Sequence, residues 1–515
     1  MQRNETASTP VGALEYDDRS TLELVLPAAM FMFIGMLIGT FISYNGFIFP
    51  DYFSGEFFTF GRLRPMHVAH VALLWLLTFG MGVFYYIVQR LCGCALYSRR
   101  LAAITNMLWF AGLIPAVYSF PFGTSSGWEY AEVPWAIGLY PVKTIITIAW
   151  VLFSYNILMT IAHRRYQQMY VSLWYVMGAI VWTTFNWVAG NYVIHFIPEG
   201  ITRVNLNFFY VHNLVGLIFT PMGLAASYYF IPRVTSAPIY SHRLSMLGFW
   251  SIAFFYSWVG AHHLIHGPIS QWLQTLSIVF SVWLIVPVFA VVINFFLTIF
   301  RKWHLYSEKV SLRFLTMGTL FYFLTSVQGS LMALRNINEI TSKTDWVIGH
   351  AHLALLGAFT FFAIGALYHL IEVIAKRPIW SQSLASWHFN LMMIGSFLMF
   401  GALMVGGYFQ GMEWAKWAQP PLLVGETPLY SDYQRQMALK PFIETIKDLL
   451  PWWSARGVSG LVLLVANGLF LFNIAQTLLA SPRRDSFQGL MRGRPFVANK
   501  NLMSIKRASN SPEAL

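Results

Sequence analysis

Charge is what this chain has least of: Asp, Glu, Lys and Arg make up only 10% of its 515 residues. Soluble domains carry about 25% charged residues, so a water-exposed globular enzyme is excluded. Cysteine is almost absent as well. Cys92 and Cys94 are the only two, one residue apart on an expected inner loop. That excludes a disulfide scaffold, and we read them as free thiols. No Cys-x-x-Cys-His run occurs, so the chain attaches no c-type haem of its own. Residues 1–20 are polar, of mixed charge, and lack the zones of a cleaved leader. Membrane insertion is therefore expected to start at the first apolar run. No low-complexity tract and no internal repeat emerges.

What is present is apolar surface: 57% of residues are hydrophobic and 17% aromatic. A helix needs about 20 apolar residues to cross a bilayer, and roughly twelve stretches meet that length, near 22–49, 62–91, 101–120, 136–162, 169–197, 205–231, 240–265, 272–300, 312–334, 346–374, 384–409 and 457–479. The expected fold is an all-α polytopic membrane protein, one twelve-helix bundle over 21–480, with a polar N-tail (1–20) and a basic C-tail (481–515). The net charge of +12 falls on alternate loops, at Arg90, Arg99, Arg100, Arg164, Arg165, Arg233, Arg243, Arg301, Lys302, Lys376 and Arg377, and on the C-tail. That is the positive-inside pattern of a bilayer protein with both termini cytoplasmic, not a nucleic-acid patch.

Ionisable groups inside such helices are costly and read as functional. The central stretch runs Tyr256-Ser-Trp-Val-Gly-Ala-His262-His263, with His212 one span earlier. These three imidazoles lie at one depth on adjacent antiparallel helices, and three nitrogens suit copper. Tyr256 precedes His263 by about two turns, so a continuous helix would place both on much the same face. His350 and His352, two apart, face nearly opposite ways and can each serve a different haem, with His67 as a second axial ligand for one. His70, one turn after His67, competes for that role. His70, His195, His242, His266, His304, His369 and His388 are otherwise read as hydrogen-bond partners between helices.

These residues, together with Gly61-Arg-Leu-Arg64-Pro-Met-His67, Glu129-Tyr-Ala-Glu132, Tyr210-Val-His212-Asn and Thr344-Asp-Trp-Val-Ile-Gly-His350-Ala-His352, resemble the catalytic subunit of the C-family haem-copper oxygen reductases, the cbb(3)-type cytochrome c oxidases. The resemblance implies copper on His212, His262 and His263, a high-spin haem b on His350, and a low-spin haem b on His67 and His352. It also implies a redox tyrosine, Tyr256, linked covalently to His212, a haem-propionate partner at Arg64, and a calcium ligand at Glu129. Thr220, Tyr228, Tyr229 and Ser245 resemble the family's proton-input path, although such groups also pair helices. A solvated outer loop is the plain alternative for Glu129 and Glu132.

One position departs from the family. Its members usually carry Glu where this chain has Gln328, as the partner of the high-spin haem's histidine, and a neutral partner implies a higher reduction potential. The function implied is reduction of dioxygen to water with electrons from a separate membrane-bound cytochrome c subunit, docked with help from 412–456 and coupled to proton translocation. A nitric oxide reductase of the same plan would hold iron at the triad and a carboxylate at position 216, where this chain has Gly216. A dihaem electron relay, or a solute transporter, would not need the triad.

Overall fold

Twelve long helices run back and forth among the described residues. The computed structural model describes residues 16–50, 52–125, 133–418, 423–424, 427–428 and 441–479. Eleven helical segments among them are long and apolar enough to cross a membrane. In chain order, span one is Asp18–Ile48, two Phe60–Cys92, three Arg99–Phe122, four Val142–Ala162, six Ile201–Thr235, seven His242–Leu264, eight Gln271–Phe300, nine Val310–Met332, ten Asp345–Ala375, eleven Gln382–Ala415 and twelve Phe442–Leu479. Span five, Val171–Asn191, has the length, with Thr183, Thr184, Asn186 and Asn191 diluting its apolar run.

Several boundaries differ from expectation. The first helix starts at Asp18, where Asp17 accepts the Ser20 amide at 3.2 Å and caps it. Span five stops at Asn191 and a separate short turn, Val193–Phe196, follows. The expected long loop 412–456 is partly helical. Span eleven's helix continues to Ala418, Leu423–Val424 pairs with Thr427–Pro428, and helix resumes at Phe442–Lys447 and Leu450–Leu479.

A repeat is present after all. Helices end on a left-handed residue at Gly93, Ser236 and Lys376. Five residues after each, Ser98, Ser241 and Ser381 open the next span, their hydroxyls accepting the amides of Leu101, Leu244 and Leu384. The following span then clamps each serine's main chain with one asparagine. Asn156 holds Ser98 at 3.0 and 3.0 Å, Asn294 holds Ser241 at 2.9 and 2.8 Å, and Asn473 holds Ser381 at 3.0 and 2.8 Å. Four residues on, Thr160, Thr298 and Thr477 accept the amides of Tyr97, Tyr240 and Trp380. Spans two to four, six to eight and ten to twelve are thus built on the same joint. Each intramolecular hydrogen bond is worth about 1 kcal/mol net, and more when its loss would orphan buried main chain.

The first helix of each arc is modified in the same way. Spans two, six and ten widen into π-helix at His70–Leu77, Leu214–Phe219 and Leu353–Phe359. Thr78, Thr220 and Thr360 close these turns by donating to the carbonyls of Leu73, Val215 and Leu355 at 2.8, 3.0 and 2.8 Å, five residues back. A π turn inserts one residue into a helix and re-aims the side chains beside it, a device common at functional sites.

Candidate metal centre

The end of span seven brings the triad together. Its α-helix stops at Phe255, and Tyr256–Trp258 and Gly260–Leu264 are tighter 3-10 turns, correcting the expected continuous helix. Gly260 permits this, because a Cβ there would meet the main chain of Phe208 and Phe209 in span six. The close approach lays His262 and His263 against His212. Ring centroids are 4.5 Å apart for His212–His262, 5.3 Å for His212–His263 and 4.5 Å for His262–His263. One nitrogen from each falls within 4.8 Å of the others, and among the described residues this is the only such group of three.

The donor set fits a metal. His212 Nδ1 is buried with no hydrogen-bond partner, an orphan that costs about 1–3 kcal/mol unless something fills it. His262 Nδ1 lies 2.7 Å from the Ser281 hydroxyl, and His263 stacks on Phe208 at 5.0 Å and 17°. Tyr256 reaches the triad although its helix has ended, its ring 4.9 Å from His212. Gly216 matters here: a Cβ at that position would overlap the Tyr256 ring.

The other three histidines each hold Nδ1 against an oxygen acceptor. His67 Nδ1 meets the Gly35 carbonyl at 2.7 Å, and His352 Nδ1 meets the Ile348 carbonyl at 2.8 Å. A carbonyl only accepts, so in both rings Nδ1 carries the proton and Nε2 has the free lone pair. His350 Nδ1 is 2.9 Å from Gln328 Oε1, while Gln328 Nε2 donates to Met404 Sδ at 3.2 Å. Gly39 and Gly329 keep space beside these rings, for a Cβ at either would press on His67 or His350. His67 is within electrostatic reach of His352, as is His350 of His212, His262 and His263.

His70 shares a register with two of the candidate ligands, since His70, His212 and His352 each stand eight residues before a π-closing threonine. Its ring nevertheless packs between Phe31 and Tyr118, and its Nδ1 bonds to Met66 O in its own helix. Among the histidines read as structural, His388 bridges spans ten and eleven through Tyr368 Oη at 2.9 Å.

Other expected site residues are placed less directly. Arg64 lies over the Phe60 ring at 6.0 Å, and Glu129 and Glu132 fall outside the described residues. The hydroxyls of Thr220 and Ser245 donate to main-chain carbonyls of their own helices, Val215 and His242. Tyr228 is buried and stacked on Tyr175 at 5.7 Å, whereas Tyr229 turns to Tyr86 and Arg233. Tyr322 of span nine, missed in the sequence, is within electrostatic reach of both Tyr256 and Tyr228.

Further groups were also hidden in the sequence. Asn186 and Asn191 of span five hold Tyr210 two residues before His212, through its carbonyl at 3.0 Å and its hydroxyl at 3.1 Å. Asp345 opens the helix bearing His350 and His352 and accepts from Trp453 Nε1 at 2.7 Å. Arg456 is 8% exposed, with Nε on Ser43 at 3.3 Å, its guanidinium 4.1 Å over Phe47 and Nη2 unpartnered. A buried arginine near His352 is a signal for an anion.

Comparison with known proteins agrees with this geometry. Residues 19–462 match the family model for cytochrome c and quinol oxidase polypeptide I. The cbb3-type cytochrome c oxidase subunit CcoN1 of Stutzerimonas stutzeri is 30% identical, aligned over 90% of this chain and 96% of that protein. A nitric oxide reductase chain of the same organism is more distant, 23% identical over 74% of this chain and 82% of that protein. A cryo-EM structure of a haem-copper terminal oxidase dimer shares the fold, with a TM-score of 0.68 and 16% identity over 95% of this chain and 88% of that one. The chain is therefore a multi-helix membrane subunit of the cytochrome c and quinol oxidase polypeptide I family, the haem-copper oxidases.

Proposed function

We propose that the chain is the catalytic subunit of a cbb(3)-type terminal oxidase that reduces dioxygen to water with electrons from cytochrome c and couples this to proton translocation. The observation that carries the reading is the convergence of three imidazoles on Tyr256, whose ring occupies the space a side chain at position 216 would need. His212, His262 and His263 would hold copper, His350 a high-spin haem b, and His67 with His352 a low-spin haem b. When bound, these centres supply the electrons and the binding place for dioxygen.

The chain's own residues do the rest. Tyr256 gives one proton and one electron from its hydroxyl, and its ring stands beside His212, the setting the resemblance implies for their covalent link. Thr220, Tyr228 and Ser245 form the proton path; each hydroxyl is anchored or buried on its own helix, so bridging water completes it. Gln328 accepts from His350 without adding charge. Arg456, with a free Nη2, and Arg64 are the cations for haem carboxylates. The basic loops lie on the cytoplasmic side and the histidines toward the periplasmic side. A separate membrane-bound cytochrome c subunit delivers electrons, docking near 412–456.

Purification with metal and haem analysis tests this. We expect two b haems and one copper per chain, a high-spin haem that binds carbon monoxide, and oxygen uptake with reduced cytochrome c. Iron in place of copper, with nitric oxide turnover, would assign the chain to the nitric oxide reductases. Loss of the carbon monoxide-binding haem would leave an electron relay.

A further inference from the structure

We propose that Ser281 is a positioning residue for the copper site: it fixes which nitrogen of His262 faces the metal. The proposal rests on the reading that the triad holds copper. Span eight places the Ser281 hydroxyl 2.7 Å from His262 Nδ1. A hydroxyl has one proton to give, and Ser281 gives it to the Ser277 carbonyl at 2.6 Å, which can only accept. The 2.7 Å contact is therefore Nδ1–H donating to Ser281 Oγ. His262 must then present the lone pair of Nε2.

The acceptor is shielded from solvent. Ser281 and Ser277 are both buried, and the Ser277 hydroxyl is occupied with Gln274 O at 2.8 Å. Among the described residues nothing equivalent serves the other two, for His212 Nδ1 has no partner and His263 stacks on Phe208. Ser281 also stands in register with the other side of the pocket. Its carbonyl accepts from Ser330 Oγ at 2.8 Å on span nine, two residues after Gln328, the acceptor for His350. One stretch of spans eight and nine thus orients a candidate ligand on each side. The contact from Ser330 is to main chain and survives removal of the Ser281 hydroxyl, so Ser281→Ala separates the tautomer from helix pairing.

An acceptor for the remote N–H makes an imidazole a stronger donor to metal, and its removal typically costs roughly 10- to 100-fold in metal affinity. In the purified complex, Ser281→Ala should lose copper to a cuprous chelator with an affinity lowered roughly 10- to 100-fold, at unchanged haem content. The infrared stretch of carbon monoxide photolysed onto reduced copper should move to higher frequency, reporting a weaker imidazole donor. Ser281→Thr should restore both readouts, since a helical threonine donates to the carbonyl four residues back as Thr298 does to Asn294. An Ala variant with native copper retention and stretch overturns the proposal, as does a Thr variant that behaves like Ala. A native complex without copper at the triad overturns the oxidase reading itself, and a distinct result marks each failure.

Discussion

Replacing Gln328 by glutamate should lower the reduction potential of the haem proposed to bind His350. The amide oxygen accepts from His350 Nδ1 at 2.9 Å and its nitrogen donates to Met404 Sδ at 3.2 Å, so a carboxylate can take the same place with one extra negative charge. An effective dielectric of about 20 and a separation of about 5 Å to the far ring nitrogen give an interaction of about 3 kcal/mol. For a one-electron couple, at about 59 mV per tenfold change in equilibrium constant, that corresponds to roughly 130 mV. The charge change is centred farther out than the ring nitrogen, so the expected fall is about 50 to 130 mV. Spectroelectrochemical titration of the carbon monoxide-binding haem reads it directly. Met404→Leu serves as the control, because it removes only the weak sulfur contact and should leave the potential nearly unchanged. A Gln328→Glu potential equal to or above that of the native protein would refute the argument that a neutral acceptor raises it.

Three further outcomes are expected. Gly216→Ala drives a methyl group into the Tyr256 ring, an overpacking that costs about 1–3 kcal/mol; turnover should collapse while copper content stays near native, and full activity would show that Tyr256 has room to move. Asn294→Ala removes both bonds to the Ser241 main chain and orphans buried groups, so thermal unfolding in detergent should report a loss of about 2–4 kcal/mol. Cys94 has its thiol held below the ordinary range by the neighbouring Cys92 thiol, with Arg165 and His163 adding to the effect. The thiolate is the reactive form, so alkylation of Cys94 should rise with pH and reach half its maximum below the ordinary thiol range of about 8.5; a midpoint at or above that range would remove the effect.

The histidines were legible because an imidazole in an apolar run stands out, and three of the six proposed as ligands, His212, His262 and His263, converge in the structure. Span cores were legible for the same reason, through length and composition. The repeat was not, because its signature is a few residues per arc, and the separation of serine from asparagine is 58, 53 and 92 positions. The closing threonines recur 142 and 140 positions apart and the opening serines 143 and 140, but so few matched residues do not stand out among apolar neighbours. The π turns were invisible as well, since Leu214–Phe219 and Leu353–Phe359 are apolar throughout and a uniform run carries no periodicity. Tyr256 lies beside His212 by a route other than the one expected. A continuous helix was expected to align it with His263, whereas the structure ends the helix and relies on Gly260 to bring the turn against span six. Ser281 escaped notice because a serine among apolar neighbours is ordinary until its proton is counted.

Because the joint between serine and asparagine occurs three times, the protein carries its own yardstick. The copy at Ser98 and Asn156 belongs to spans three and four, which bear none of the six histidines, while the copy at Ser241 and Asn294 belongs to spans seven and eight, which bear His262, His263 and Ser281. The same truncation made in both places imposes a closely matched mechanical insult. The difference between the two responses then isolates how far a disturbance at one end of a helix pair propagates to ligand chemistry at the other.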